Sequence, residues 1–143
     1  MPERTLILIK PDAVRRGLIG EIICRLEAKG LKIVGMKMLR FDAPLAAAHY
    51  AEHVKKDFYP ALRDFITSGP TAALAVEGPD VVALTRALIG ATRHTEAAPG
   101  TIRGDFAWST TENLVHGSDS KERAEIELRL FFRDDELFEW TKG

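Results

Sequence analysis

Ser120–Phe132 (SKERAEIELRLFF) fits two periods, and the choice between them decides the architecture. Ala124, Leu128 and Phe131 recur at helical spacing, whereas Ile126, Leu128 and Leu130 alternate as in a strand. The length of the segment and its Glu and Arg content favour a helix, with Asp119 or Ser120 as its N-cap. Working back from there, Asn113–His116 reads as a short fourth strand. Ala91–Gly104, holding Pro99 and Gly100, reads as a loop, and Asp80–Ile89 as a helix. Thr71–Val76 is a third strand. Ala43–Val54 and Phe58–Thr67 are two short helices, the second closed by Ser68-Gly69-Pro70. Leu31–Phe41 (LKIVGMKMLRF) suits a long strand with one sheltered face, Ile33, Gly35 and Lys37 alternating with Val34, Met36 and Met38. Leu18–Lys29 places Ile19, Ile22, Ile23 and Leu26 on one helical face and stops at Gly30. Thr5–Lys10 (TLILIK) is a buried strand ended by Pro11. The order is strand, helix, strand, helical insert, strand, helix, strand, helix. That is an α/β (α+β) plan of the ferredoxin-like, split βαβ kind: a four-stranded antiparallel sheet covered by helices, with a helical insert and a loop beside the candidate site.

Composition narrows the function. The 143 residues make one domain, 1–143, large enough to hold a core without staples. Lys and Arg number 20 against 21 Asp and Glu, a net charge of −1, so nothing in bulk draws the chain to nucleic acid or to an anionic membrane. Cys24 is the one cysteine, which excludes an intrachain disulfide and a cysteine-based zinc site. No apolar run approaches the ~20 residues of a bilayer span, and the N-terminus does not read as a signal peptide. A cytoplasmic protein is expected.

The densest polar stretch is Asn113-Leu-Val-His-Gly-Ser-Asp-Ser120. His116 ends an apolar strand, and Gly117 lets the chain turn tightly beside its ring. A histidine is largely neutral yet titratable near pH 7, so a ring nitrogen can attack phosphorus when the other nitrogen is held by an acceptor. The plainer reading is a strand-end histidine satisfied by its turn. Lys10 lies at the carboxyl end of the first strand, Arg103 in a glycine-bracketed turn, Arg86 on a helix and Thr92 in the loop that follows. Each alone reads as a solvated surface group; together they form an anion site. The chain has no P-loop sequence, so phosphates need side-chain cradling. His49-Tyr-Ala-Glu-His53 fits the H-x-x-E-H zinc pattern, with Glu52 as general base, but an amphipathic helix explains it as well and no third ligand helix follows.

Six blocks in order resemble the nucleoside diphosphate kinase family. They are Glu3–Leu6 with Ile9–Val14, Gly20–Ile23, His49–His53, Ser68–Pro70, Pro99–Phe106 and Asn113–Ser120. The resemblance displaces the zinc reading, because Tyr50 matches the family's active-site tyrosine. It implies a ping-pong exchange that moves the γ-phosphoryl group of a nucleoside triphosphate, mainly ATP, through a phosphohistidine at His116 to a nucleoside diphosphate, maintaining (d)NTP pools. It further implies that Glu127 orients the His116 ring and Ser118 assists. Lys10, Tyr50, Arg86, Thr92 and Arg103 surround the phosphates, Lys10 also reaching the sugar 3′-hydroxyl. Asn113 holds the ribose, Phe58 stacks on the base and Leu62 packs beside it. Mg²⁺ rides on the nucleotide phosphates with no metal ligands of the protein's own, and the chain assembles as a homo-oligomer, a hexamer or tetramer. Two positions depart from the family pattern: Arg93-His94 stands where Asn-Pro is usual, and Thr110 where an apolar residue often faces the base.

Overall fold

The computed structural model describes residues 2–142. Four antiparallel strands, β1 (Arg4–Ile9), β2 (Lys32–Arg40), β3 (Pro70–Glu77) and β4 (Val115–Gly117), lie in the order β2-β3-β1-β4. This is the expected antiparallel split βαβ sheet, with β1 and β3 at its centre. Leu6 to Ile9 are wholly buried, and their pleat feeds two cores, because successive side chains on a strand point to opposite faces. Ile7 and Ile9 pack with α1 (Pro11–Arg15), α2 (Ile19–Ala28), α5 (Val81–Ile89) and α6 (Ile102–Phe106). Leu6 and Leu8 pack against α3 (Ala43–His49), α4 (Tyr59–Ile66) and α7 (Lys121–Phe131) on the other face.

The ambiguous segment is the helix α7. Ala124, Leu128 and Phe131 are buried, while Ile126 and Leu130 are exposed at 54% and 37%, as the helical period requires. Ser120 caps it, its hydroxyl accepting from the Arg123 N–H at 3.1 Å.

Four expectations change. The strand over Leu31–Phe41 does not alternate evenly. A bulge between Ile33 and Gly35 inserts Val34, which is buried, while Met36 and Met38 turn outward at 63% and 55% exposure. Glycine lets the C-terminal segment pack closely on the bulge, because a Cβ on Gly35 would press on the Leu137 side chain at 2.9 Å and on the Phe132 ring and the Glu136 carbonyl at 3.2 Å. Pro11, expected only as a strand stop, is also the first residue of α1, where its missing N–H costs nothing. The expected loop Ala91–Gly104 ends in the start of α6, capped by the Thr101 hydroxyl on Gly104 N–H. Finally, the fourth strand begins at Val115 and not at Asn113, because Leu114 has φ +77° and breaks the extended chain.

Candidate active site

The register of β1 against β4 places the site. Leu8 pairs with His116, so the histidine shares the face of Leu6, Leu8 and, one pleat further, Lys10. The chain reaches His116 through a tight turn. Val115 N–H donates back to the Asn113 carbonyl at 2.9 Å across Leu114, forming the φ-positive γ-turn, a strained conformation. Strain of this kind persists where surroundings over-determine it. Leu114 is fully buried, its N–H donates to Asp12 Oδ2 at 3.0 Å, and its carbonyl accepts from Lys10 N–H at 2.9 Å.

His116 Nε2 lies 3.0 Å from Glu127 Oε1 on α7. That oxygen also accepts from the Ser118 hydroxyl at 2.5 Å, while Oε2 accepts from Arg123 Nη2 at 3.2 Å. Burial alone would raise the Glu127 pKa. The hydrogen bond and charge of His116 outweigh it, joined by Ser118 and His49, and hold the carboxyl down at about 2. An ionised Glu127 fixes the tautomer with the proton on Nε2, which leaves a lone pair on Nδ1. Among the described residues Nδ1 has no hydrogen-bond partner.

Cations ring this nitrogen's cleft, which has a volume of about 600 Å³. Arg103 is buried, with Nε, Nη1 and Nη2 donating to the carbonyls of Asn113, Gly90 and Val115 at 3.3, 3.2 and 2.6 Å. The turn behind it requires Gly104, where a Cβ would sit 1.9 Å from the Ala98 carbonyl oxygen. Arg86 Nη1 donates to the Gly117 carbonyl at 3.2 Å. Lys10, also buried, donates to Asn113 Oδ1 at 2.5 Å, and Asn113 Nδ2 donates to the Thr92 carbonyl at 3.1 Å. Burial, and then the charge of Arg103, push the Lys10 ammonium down to about 8 against the pull of Asp12. Arg103 falls to about 10, by burial and the charge of Arg86. Three cations held at one cleft, none of them in an ion pair among the described residues, form a site that polyanions complete.

Lys10, Tyr50, Phe58, Leu62, Arg86, Thr92, Arg103, Asn113, His116 and Glu127 all line the cleft. Ser118 does not; it is fully buried behind His116 and reaches it only through Glu127. Burial, then the charge of Glu127, raises the Tyr50 pKa, so its hydroxyl stays a donor. Phe58 stands at the rim, 53% exposed, its ring 5.5 Å from that of His53. Asp119 and Glu52 add carboxylates to the lining that have no ion-pair partner among the described residues.

Sequence reasoning overlooked two residues. Arg123 is four positions before Glu127, an i,i+4 pair that was visible once α7 was read as a helix. His49 was considered only as part of a zinc motif. That motif does not assemble: His53 turns toward Lys56 and Phe58, while His49 is buried with its ring 4.8 Å from that of His116 and Nδ1 3.6 Å from Glu127 Oε2. Burial, then the charge of His116, lowers the His49 pKa to about 3. The two departures in the loops meet each other, with His94 Nδ1 2.9 Å from the Thr110 hydroxyl at the mouth of the cleft.

Comparison with known proteins gives one consistent relationship. The family model for nucleoside diphosphate kinase matches residues 3–137. A nucleoside diphosphate kinase of Archaeoglobus fulgidus is 56% identical over 141 residues, which are 99% of this chain and 93% of the relative. One from a Nocardioides species is 61% identical over 132 residues, 92% and 98% of the two chains. The solved nucleoside diphosphate kinase of Halobacterium salinarum, in complex with CDP, superposes with a TM-score of 0.96 at 52% identity, covering 99% of this chain and 95% of that one.

Proposed function

The chain belongs to the nucleoside diphosphate kinase family, a family of phosphotransferases, and on that premise we propose that it transfers a γ-phosphoryl group by ping-pong through His116. The observation that carries the reading is the His116 ring, tied at Nε2 to an ionised carboxylate, with Nδ1 unpartnered in a cleft of fixed cations.

In the forward half-reaction Nδ1 attacks the γ-phosphorus of the triphosphate. A P–N bond forms, the bond to the β,γ-bridging oxygen breaks, and the diphosphate leaves with that oxygen. Nε2 keeps its proton and holds it in the hydrogen bond to Glu127, whose negative charge stabilises the positive charge that develops on the ring. In the second half-reaction a terminal oxygen of a new diphosphate attacks the same phosphorus and the P–N bond breaks. The transferred group demands positioning and positive charge more than acid–base work. Arg103 and Arg86 supply it from backbone-anchored guanidinium groups and Lys10 from its Asn113 contact, while the Tyr50 and Thr92 hydroxyls donate to phosphate oxygens. Asn113 meets the ribose, and the Phe58 ring with Leu62 covers a face of the base. Stacking reads no hydrogen-bonding edge, which accounts for broad base tolerance. In the Halobacterium relative the bound nucleotide is CDP.

Mg²⁺ enters with the nucleotide as part of the substrate, neutralising phosphate charge. Of the carboxylates lining the cleft, Glu127 is committed to His116, Ser118 and Arg123, so Asp119 and Glu52 are left to meet the ion's water shell. No helix of the described residues is long and apolar enough to cross a membrane, and we place the enzyme in the cytoplasm, serving nucleotide pools. The exposed Met36, Met38, Phe138 and Trp140 support assembly into a homo-oligomer, which light scattering measures.

The test is direct. Mg·ATP labelled on the γ-phosphate should leave acid-labile label on the protein after free nucleotide is removed, and adding a diphosphate should discharge it. Turnover without any protein-bound label would refute the covalent route.

A further inference from the structure

The His49 imidazole is almost entirely buried, its side chain 1% exposed, and its Nδ1 has no hydrogen-bond partner. A buried, unsatisfied ring nitrogen is costly and invites an explanation. It faces Glu127 Oε2 at 3.6 Å, while His116 Nε2 faces Oε1 at 3.0 Å. One ligand atom from each of the three residues lies within 4.8 Å of the others. Zinc bonds to imidazole nitrogen and carboxylate oxygen run ~2.0–2.2 Å, which sets adjacent ligand atoms of a tetrahedron roughly 3.3 Å apart. The two separations, each to a different oxygen of Glu127, straddle that spacing, and the widest pair in the cluster, within 4.8 Å, has to draw in on binding.

We propose that His49 Nδ1, His116 Nε2 and Glu127 form a binding site for a borderline-soft divalent cation such as Zn²⁺, with the cleft supplying the fourth, solvent position, and that the bound ion switches the enzyme off. Two imidazoles and one carboxylate suit Zn²⁺, Cu²⁺ or Ni²⁺ and not Mg²⁺, which selects oxygen ligands. Arg123 and Ser118 now occupy Glu127 and must release it. Arg123 is about a third exposed and free to swing outward. Their competition, with Lys10 nearby, makes the site a reversible regulatory one and not a structural one.

The switch follows from proton placement. A neutral imidazole carries one N–H. Without metal, Glu127 holds that proton on Nε2 and leaves the lone pair on Nδ1. A cation bound at Nε2 uses the lone pair there, so the proton moves to Nδ1; no proton is lost, and Nδ1 can no longer attack phosphorus. Conversely, a phosphoryl group on Nδ1 confines the proton to Nε2 and closes the metal site. Metal binding and phosphorylation of the same ring are therefore mutually exclusive. The inhibitory half rests on His116 as nucleophile; the binding half stands on geometry alone.

The experiment titrates nucleotide-free protein with Co²⁺, read by its visible absorption, and with Zn²⁺, read by equilibrium dialysis. One ion per chain with tetrahedral Co²⁺ bands is expected, unaffected by millimolar Mg²⁺. His49→Gln should weaken binding at least roughly tenfold, while Cys24→Ser and His94→Ala leave it unchanged. In the unsubstituted protein, ¹⁵N shifts of the His116 ring should move from the Nε2–H to the Nδ1–H pattern on adding Zn²⁺, a readout independent of any variant's folding. Absence of stoichiometric binding, binding insensitive to His49→Gln, binding lost in Cys24→Ser, or an unmoved His116 tautomer would each overturn the site. Protein phosphorylated with Mg·ATP and freed of nucleotide should bind no ion. If the unphosphorylated protein binds Zn²⁺ as described but takes no label from ATP, the phosphohistidine reading fails while the metal site stands.

Discussion

At the scale of single residues, His116→Ala should abolish labelling from γ-labelled ATP while circular dichroism shows an intact fold. Arg103→Ala should depress single-turnover phosphorylation about 10²–10³-fold, as removal of a preorganised charge donor does. Phe58→Ala should instead weaken nucleotide binding by roughly 1–3 kcal/mol per stacked base and spare the saturated rate, since a stack grips ground and transition states alike. Equal loss of saturated rate in both variants would contradict that division. Lys10 yields a pH prediction. Its ammonium is held at about 8, so part of the free enzyme lacks this charge at pH 8.5, and a bound polyphosphate draws the proton back. Calorimetry at pH 8.5 in two buffers of different ionisation enthalpy should show proton uptake on nucleotide binding, and the uptake should vanish at pH 6.5. The sign for folding runs the other way. The folded state binds fewer protons than the unfolded chain between about 8 and 10.5, so this group's destabilisation is present below pH 8 and fades as pH rises through that window. The strand-end position of Lys10 was readable in the chain, but the tight turn expected at Gly117 lies on the other side of His116, at Leu114, because Gly117 is still paired in β4 opposite Ile7. The second imidazole of the cluster, His49, was not readable either, because its partners His116 and Glu127 come from β4 and α7 and only the folded layers bring them together.

At the scale of elements, the sheet's far end depends on Glu77. It is buried on β3 opposite Arg4 of β1 and Lys32 of β2, with ion pairs of 3.0 and 2.8 Å to its two neighbours in register. Burial opposes ionisation of Glu77, but the hydrogen bonds and charges of Lys32 and Arg4 prevail and lower its pKa. A depressed carboxylate contributes stability above its unfolded pKa and loses it as pH falls through the folded value. Glu77→Gln should cost about 2 kcal/mol in urea unfolding, less than the 3–5 of a fully buried pair because both cations keep about a fifth of their surface wet. It should also flatten the fall in stability below pH 4.5. On the opposite side of the sheet, Asp12→Ala strips the Leu114 N–H of its acceptor. The expected result is a loss of about 1–3 kcal/mol and a lower transfer rate, since the γ-turn aims both Asn113 and His116. Helices were legible where apolar periods ran long, as in α2 and α7. The bulge at Val34, the γ-turn at Leu114 and the short α6 were not. The first two are set by contacts from distant segments, the chain around Phe132 and Leu137 for the bulge and Asp12 for the γ-turn, whereas the third is set within its own loop by the Thr101 cap and the Ala98 carbonyl against Gly104.

At the scale of the whole molecule, the site draws on both layers of the fold, with His116, Lys10 and Glu127 on one face of the sheet and Arg86 and Arg103 reaching it from α5 and α6 on the other. His116 sits opposite Leu8, and Lys10 follows one pleat later, just past the end of β1. The distance between nucleophile and cation is therefore counted out in strand residues, and β1 acts as a ruler whose marks alternate between two layers. This limits how the gene can change length. Extra residues between α3 and α4, or ahead of α6, would lengthen loops at the rim. A single codon gained or lost between Leu8 and Lys10 would carry the lysine into the opposite core, among Ile22 and Leu74, and take its charge from the face that holds His116.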